Sequence, residues 1–156
     1  MIQNVYQLSA DADLIYAEAL VQSNKTQIIL SVLFVNRTNA VIESLELELF
    51  TSTALKTHQT KHALTLEPHG QVIEQYELSV SSCGSATIYG NICARFQQNA
   101  RERHKDIVMR TKEIQFDVSQ FIKPLKLSLS EFRRQWAAIQ TQEHRAQACA
   151  KTLQDF

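Results

Sequence analysis

Apolar and polar residues alternate with a period of two over most of the region from Tyr16 to Val118. In one segment, Leu45, Leu47 and Leu49 share one side, and Glu46 and Glu48 lie between them. Successive side chains of a strand point to opposite faces, so this pattern predicts an antiparallel strand with one buried and one wet face. We predict about seven strands in all, including segments 16–22, 26–36, 43–50, 72–80, 86–96 and 107–118.

The segment 26–36 differs because it is apolar on both sides. It therefore predicts a central strand that is covered on both faces. One face would carry four apolar residues and the other three, in order Ile28, Leu30, Val32 and Phe34, then Ile29, Leu33 and Val35.

Two local signals punctuate the strands. Pro68 and Gly70 are the second and fourth residues of "EPHG", a spacing typical of a tight turn. Gly90 lies inside a predicted strand, which indicates a bulge or the close approach of another backbone. Turns every ~8–12 residues between short strands predict an all-β protein, an immunoglobulin-like antiparallel β-sandwich over residues 1–124.

The last segment, residues 125–156, changes period and predicts a C-terminal α-helix. Pro124 marks the end of the strands, and Ser128 with Glu131 three residues later matches a capping box. Apolar residues then recur at spacings of three, four or seven and form one stripe, which Glu143 interrupts. The stripe consists of Phe132, Trp136, Ile139, Ala146, Ala150 and Leu153.

Charge and composition exclude several classes of protein. The chain has 16 basic and 16 acidic residues, so no net charge draws it to nucleic acid or anionic lipid. The longest apolar run, 28–35, is too short to span a membrane, and the N-terminus does not resemble a signal peptide. The three cysteines form no short motif. We therefore expect a soluble cytoplasmic protein with reduced thiols.

Candidate chemical groups do not combine into an active site. His58 and His62 have the spacing of two metal ligands on a helix, but their segment is polar and strand-like, which favours an exposed connection. Cys83 beside Gly84 lacks a nucleophile motif and is better interpreted as a turn cysteine. The three glycines match no phosphate-binding pattern. We expect no catalytic residue, metal site or cofactor.

Two surface features are open to a binding interpretation. A locally basic hairpin either is simply solvated or makes weak contact with an acidic partner or lipid headgroups; its cations are Arg95, Arg101, Arg103, Lys105, Arg110 and Lys112. Trp136 either anchors the helix in a core or forms a partly exposed aromatic plate that accepts a peptide.

Several stretches, taken in order, resemble the appendage of the coatomer beta subunit family. They are "QLSADADLIYAEALV", "IILSVLFVNRTNAVIESLELEL", "LTLEPHG", "SATIYGNICARF", "IQFDVSQFIKP" and "EFRRQWAAI". The resemblance implies an immunoglobulin-like sandwich followed by the start of a smaller α/β platform. It also implies a non-catalytic, protein-binding part of a COPI vesicle coat, acting in Golgi-to-ER and intra-Golgi transport.

The resemblance also implies partners and a location. The partners would be other coatomer subunits, an Arf-type GTPase and accessory or cargo proteins, with no nucleic acid. The protein would be cytoplasmic, on Golgi membranes and COPI-coated vesicles, with peripheral membrane association through the coat.

In the related clathrin-adaptor appendages, a tryptophan on the first platform helix binds short peptides, and a phenylalanine four residues earlier packs inward. Phe132 and Trp136 in "EFRRQW" match these two positions. Trp136 and the nearby Arg133 are therefore the candidate protein-binding residues.

The family platform would continue beyond Phe156, so the chain would be either a fragment of a larger subunit or a free-standing appendage-like protein. Two alternatives remain open. One is the appendage-like domain of another adaptor or coat complex. The other is an unrelated cytosolic immunoglobulin-like structural module.

Overall fold

The computed structural model describes residues 4–24, 27–58, 62–97, 104–122 and 126–154, with side chains of the last segment described up to 142. The chain divides into two compact units, Met1–Ile122 and Lys123–Phe156. The first unit contains ten described strands: β1 (Val5–Gln7), β2 (Ile15–Asn24), β3 (Gln27–Asn36), β4 (Val41–Thr51), β5 (Leu55–Thr57), β6 (Leu64–Leu66), β7 (Gln71–Val80), β8 (Ser85–Gln97), β9 (Lys105–Arg110) and β10 (Ile114–Asp117).

The strands form two antiparallel sheets, as an immunoglobulin-like sandwich requires. One sheet has the order β1-β2-β3-β7-β5, and the other has the order β10-β8-β4-β6. β9 pairs with residues 91–96 of β8, whereas β10 pairs with residues 85–88. The predicted all-β sandwich is thus confirmed, and β3 is central in its sheet.

The core lies between the inward faces of the two sheets. Leu45, Leu47 and Leu49 of β4 are at most 8% exposed, as their alternation predicts. Ile114 and Phe116 of β10 are buried as well. A two-layer sandwich buries one face of each strand, and period-two alternation indicates which face that is.

The prediction that β3 is covered on both faces is wrong. Ile28, Leu30, Val32 and Phe34 are at most 1% exposed. The opposite face is only half-buried. Two packed sheets enclose a single core, so the apolar residues on the outer face of β3 are not covered by a third layer.

The "EPHG" segment forms the predicted turn. The Gly70 amide donates to the Glu67 carbonyl oxygen over 2.9 Å. His69, the third residue, has a φ of 58°. A positive φ at the third position and proline at the second are typical of a type II turn. This turn links β6 of one sheet to β7 of the other.

Gly90 lies where two backbones come close, as the sequence indicates. A Cβ atom at this position would overlap the carbonyl oxygen of Glu48 on β4. On the other side of β8, the Gly90 amide donates to Thr111 Oγ1 over 2.8 Å, and the Thr111 amide donates to the Gly90 carbonyl over 2.9 Å.

The strand predicted over 107–118 is interrupted rather than continuous. β9 ends at Arg110 and β10 begins at Ile114, and between them the Lys112 amide donates to the Leu8 carbonyl, which belongs to the region between β1 and β2. A hydrogen bond to the other sheet therefore replaces the β8 ladder at this point. The strand count exceeds the prediction also because β1, β5 and β6 have three residues each, too few to show a period.

After a 3-10 turn over Val118–Phe121, the second unit contains one helix, α1 (Leu129–Gln154). Pro124, which we expected to end the strands, lies outside the described residues. In the part of the chain that the structure describes, no helix combines the length and apolar character needed to cross a bilayer.

Candidate protein-binding site

The capping box positions the first turn of α1. The Ser128 amide donates to Glu131 Oε2 over 3.2 Å, and the Glu131 amide lies 3.3 Å from Ser128 Oγ, which accepts its proton. The Ser128 hydroxyl also donates to Glu131 Oε2, and these hydrogen bonds lower the pKa of the carboxyl group. The reciprocal bonds satisfy amides that the helix itself cannot, so α1 begins at Leu129 as predicted.

Phe132 and Trp136 form an aromatic pair on the surface of α1. Their ring centroids are 5.8 Å apart and their planes differ by 23°, so the rings are stacked. Residues four apart are neighbours on a helix, which explains the contact. Phe132 is 49% exposed and Trp136 is 53% exposed. Ile139 and Leu129 extend the same exposed apolar stripe.

Arg133 is exposed on the same turn of α1. It precedes Trp136 by three residues, a spacing that places two side chains on one side of a helix. The structure therefore presents a guanidinium group beside an exposed aromatic stripe. Aromatic residues with a neighbouring arginine are the residue types enriched at the energetic centres of protein interfaces.

A second aromatic surface, which the sequence analysis missed, lies on the outer face of the second sheet. Phe50 of β4 and Tyr89 of β8 stack with centroids 5.5 Å apart, and the Arg110 guanidinium lies 5.9 Å from the Tyr89 ring centroid. Phe50 is 44% exposed. The signal was present in the sequence, because Phe50 occupies the face of β4 that otherwise carries glutamates.

The basic hairpin is partly neutralised where it is described. Arg95 and Asp106 form a bidentate pair with N–O distances of 2.8 and 3.2 Å, and hydrogen bonding from Arg95 lowers the pKa of Asp106. His104 lies 3.0 Å from a carboxylate oxygen of Glu43. Arg101 and Arg103 lie outside the described residues.

A cleft of about 280 Å³ runs between β4 and β7 and includes His58 and His62 in its wall. The two histidines have different partners: His58 Nε2 lies 2.7 Å from Ser79 Oγ, and His62 Nδ1 lies 4.0 Å from Glu74 Oε2. Over the described ranges, no three histidine, cysteine or acidic residues are grouped to hold a metal ion.

Cys83 lies in an exposed bend before β8. Next to it, Gly84 adopts a φ of 115°, a conformation that suits glycine. The position agrees with its interpretation as a turn cysteine.

The structure defines an immunoglobulin-like β-sandwich module that is followed by a helix with an exposed aromatic stripe, a type of surface that binds other proteins. The family model described as "Coatomer beta C-terminal region" matches residues 1–95. The chain belongs to this family, which confirms the resemblance found in its sequence.

Similar full-length proteins support the assignment. "Coatomer subunit beta" of Sus scrofa is 32% identical over 139 residues, which is 89% of this chain and 14% of that protein. The protein of the same name from Drosophila melanogaster is 34% identical over 135 residues, 86% of this chain and 13% of that protein. The chain thus spans about one seventh of the length of these relatives.

Solved structures of distant proteins share parts of the architecture. The GAE domain of GGA2p from Saccharomyces cerevisiae aligns with a TM-score of 0.47 at 10% identity, covering 70% of this chain and 96% of that one. A FixG-related protein from Vibrio parahaemolyticus aligns with a TM-score of 0.42 at 13% identity, covering 64% of this chain and 95% of that one. With TM-scores below 0.5, the family assignment depends on the sequence matches.

Proposed function

We propose that the chain is a non-catalytic, protein-binding appendage module of a COPI-type vesicle coat, acting in Golgi-to-ER and intra-Golgi transport. The observation that carries the proposal is the family match over residues 1–95 together with 32% identity to a coatomer subunit beta. The exposed aromatic stripe of α1 supports a binding role.

The mechanism is presentation rather than chemistry. The two sheets form a scaffold with a continuous core, and such a scaffold holds surface residues in fixed positions. Each contact would be weak by itself, and many copies in one coat would raise the effective affinity through multivalency. This role requires no cofactor.

The partners in this proposal are other coatomer subunits, an Arf-type GTPase and accessory or cargo proteins. The protein would act in the cytoplasm, at Golgi membranes and on COPI-coated vesicles, and would reach the membrane through the coat. Residues 125–156 would be the beginning of a platform subdomain, and residues 1–124 the sandwich subdomain.

Within the second unit, Trp136 and Arg133 are the proposed protein-binding residues. Trp136 offers a large apolar surface that loses little conformational entropy on binding, and the guanidinium can pair with a carboxylate of a partner. The Phe132 ring stacks against Trp136, so the two rings present one continuous aromatic surface.

Capture of partners from a lysate of cells that contain COPI coats tests the assignment. The immobilised chain should retain coatomer subunits identified by mass spectrometry. Retention of clathrin-type adaptors instead would support the alternative coat, and retention of neither set would contradict the coat proposal.

Paired variants test the site. Trp136→Ala and Arg133→Ala should each reduce capture of coatomer subunits at least about tenfold, the loss expected for a hot-spot residue. Arg134→Ala is the control for the arginine, and Ile73→Ala, which removes an apolar side chain that is 64% exposed on the sandwich, is the control for the tryptophan. Equal capture by all four variants would show that α1 is not the binding surface.

A further inference from the structure

The apolar stripe of α1 follows the spacing of a coiled coil. Successive positions are separated by three and four residues in strict alternation, which gives a period of 3.5. A helix that packs on a globular core usually needs a wider stripe with a period of 3.6. The eight seam positions are Leu129, Phe132, Trp136, Ile139, Glu143, Ala146, Ala150 and Leu153.

The positions beside the seam are polar, so the apolar stripe is narrow. Six of the eight residues that border it are serine or glutamine, and only Arg133 is charged. On one side these are Arg133, Gln140, Gln147 and Gln154, and on the other Ser128, Gln135, Gln142 and Cys149. Residues at such positions face the partner helix in a coiled coil, and like charges there would oppose self-association. Nearly uncharged borders permit two copies of this helix to meet.

The seam is exposed where its side chains are described. Leu129 is 65% exposed, and Ile139 is 51% exposed. Phe132 and Trp136 between them are similarly exposed. A continuous stripe of four large apolar side chains in water is a surface that association would bury with a gain in free energy.

Side-chain volume distinguishes between two orientations of a helix pair. The first half of the seam carries large residues, and in the second half the sequence has alanine at 146 and 150. A parallel pair would place Trp136 against Trp136 of the second copy and Ala146 against Ala146. The helices would then be pushed apart at one end and leave a gap at the other.

An antiparallel pair removes this conflict. With residue 141 of both helices at the centre, Trp136 faces position 146 of the second copy, Phe132 faces position 150, and Leu129 faces position 153. Each large side chain then meets a small one, apart from a leucine pair at the ends. Interior packing of uniform density is favourable, and this arrangement supplies it along the whole seam.

Charge favours the same orientation. In a parallel pair Glu143 would face Glu143 of the second copy, and burial of two like charges is costly. In the antiparallel pair Glu143 faces position 139 of the second copy, and glutamines 140 and 142 lie near enough in the sequence to supply hydrogen-bond donors.

We propose that α1 associates with α1 of a second copy of this chain as an antiparallel two-helix coiled coil. The inference rests on the protein-binding role proposed above for the Trp136 face and names its partner. The contact is isologous, so it closes as a dimer without further growth.

Sedimentation equilibrium of the full chain tests the association. We expect a species of twice the 17.8 kDa chain mass at concentrations up to about 100 μM. Trp136→Ala should weaken the dimer at least about tenfold, whereas Arg134→Ala, outside the seam, should not. A monomer at every concentration would overturn the proposal.

A second variant guards against loss of folding. Ala146→Glu places a charge in the seam while keeping a residue of good helix propensity. It should abolish the dimer with little change in helical circular dichroism. A dimer that survives both Ala146→Glu and Trp136→Ala would show that another surface causes it, and would also overturn the proposal.

Cysteine cross-linking determines the orientation. In a background with the three native cysteines changed to serine, Leu129→Cys and Leu153→Cys are made as separate proteins and mixed under oxidising conditions. The antiparallel pair predicts a disulfide only in the mixture. A parallel pair would link Leu129→Cys to itself, and that result would contradict the model.

The two proposals fail separately. A monomeric chain that captures coatomer subunits in a Trp136-dependent manner would overturn the dimer and leave the coat function intact. A dimer held by the seam, with no capture of any coatomer subunit, would support the dimer and remove the coat function.

Discussion

Gly90 on β8 and Glu48 on β4 are so close that no Cβ atom fits between the backbone of the first and the carbonyl oxygen of the second. The same glycine exchanges two hydrogen bonds with Thr111 on its other side. The β-sandwich is therefore held at this point by main-chain contacts on both sides of β8.

Gly90→Ala should destabilise the first unit by at least about 2 kcal/mol, because the added methyl group must displace a backbone rather than a flexible side chain. Urea denaturation followed by circular dichroism measures the change. Asn91→Ala, at the next position of β8 and on its outer face, is the control and should change the free energy of unfolding far less. Equal stability of the two variants would contradict the close approach.

Asn36 is completely buried at the end of β3, and its side chain satisfies several backbone groups. Its Nδ2 donates to the carbonyl oxygens of Ala40 over 2.8 Å and Glu67 over 3.0 Å, and its Oδ1 accepts from the Thr38 amide over 3.0 Å. It thereby connects the turns that lead from one sheet to the other.

Asn36→Ala would leave these groups without a partner and should cost about 2–3 kcal/mol. Asn24→Ala, at the exposed end of β2, should be nearly neutral. Thermal unfolding of the two variants makes the comparison. A difference in midpoint too small to measure would show that water replaces the asparagine without loss.

The capping box makes the helicity of α1 depend on acid. Hydrogen bonds from Ser128 lower the pKa of Glu131 below its ordinary value of 4.5. A lowered pKa in the folded state means that the carboxylate stabilises the helix above pH 4.5 and that this contribution is lost as the pH falls through the lowered pKa.

Helical ellipticity should therefore fall in acid for the native chain and less for Glu131→Gln, because an amide keeps a capping interaction and does not titrate. The difference between the two titrations isolates Glu131 from other carboxyl groups such as Asp117. Parallel titration curves would refute the assignment of this effect to the capping box.

Tyr76 makes the sandwich sensitive to alkali. Burial, with a smaller effect of the Glu74 charge, raises the pKa of its phenol to about 12 from 10.0. A raised pKa means that the neutral phenol stabilises the fold below pH 10.0 and that this contribution is lost as the pH rises toward about 12.

Phenolate absorbance should show a late-titrating tyrosine in the native chain that is missing from Tyr76→Phe. The phenylalanine variant should also lose less stability between neutral and alkaline pH. Tyr89→Phe is the matched control, since it leaves Tyr76 in place. A late transition that persists in Tyr76→Phe would assign it to a different residue.

The sequence determined the fold class, because the positions that alternate in β3, β4 and β10 are the positions that the sandwich buries. It also determined the start of α1, since Ser128 and Glu131 carry a local signal that needs no other part of the chain. Gly90 was found for the same reason, because a glycine inside a strand has few explanations other than close backbone approach.

Only the tertiary structure decided which features depend on residues distant in sequence. The outer face of β3 is half-buried because the chain forms two layers and not three, and the strand over 107–118 is interrupted because Lys112 bonds to Leu8 of the other sheet. The aromatic surface of Phe50 and Tyr89 exists because β4 and β8 pair in one particular register. Periodicity describes how one segment faces a core, but it contains no information about which segments pair or in what register, and these three features follow from pairing.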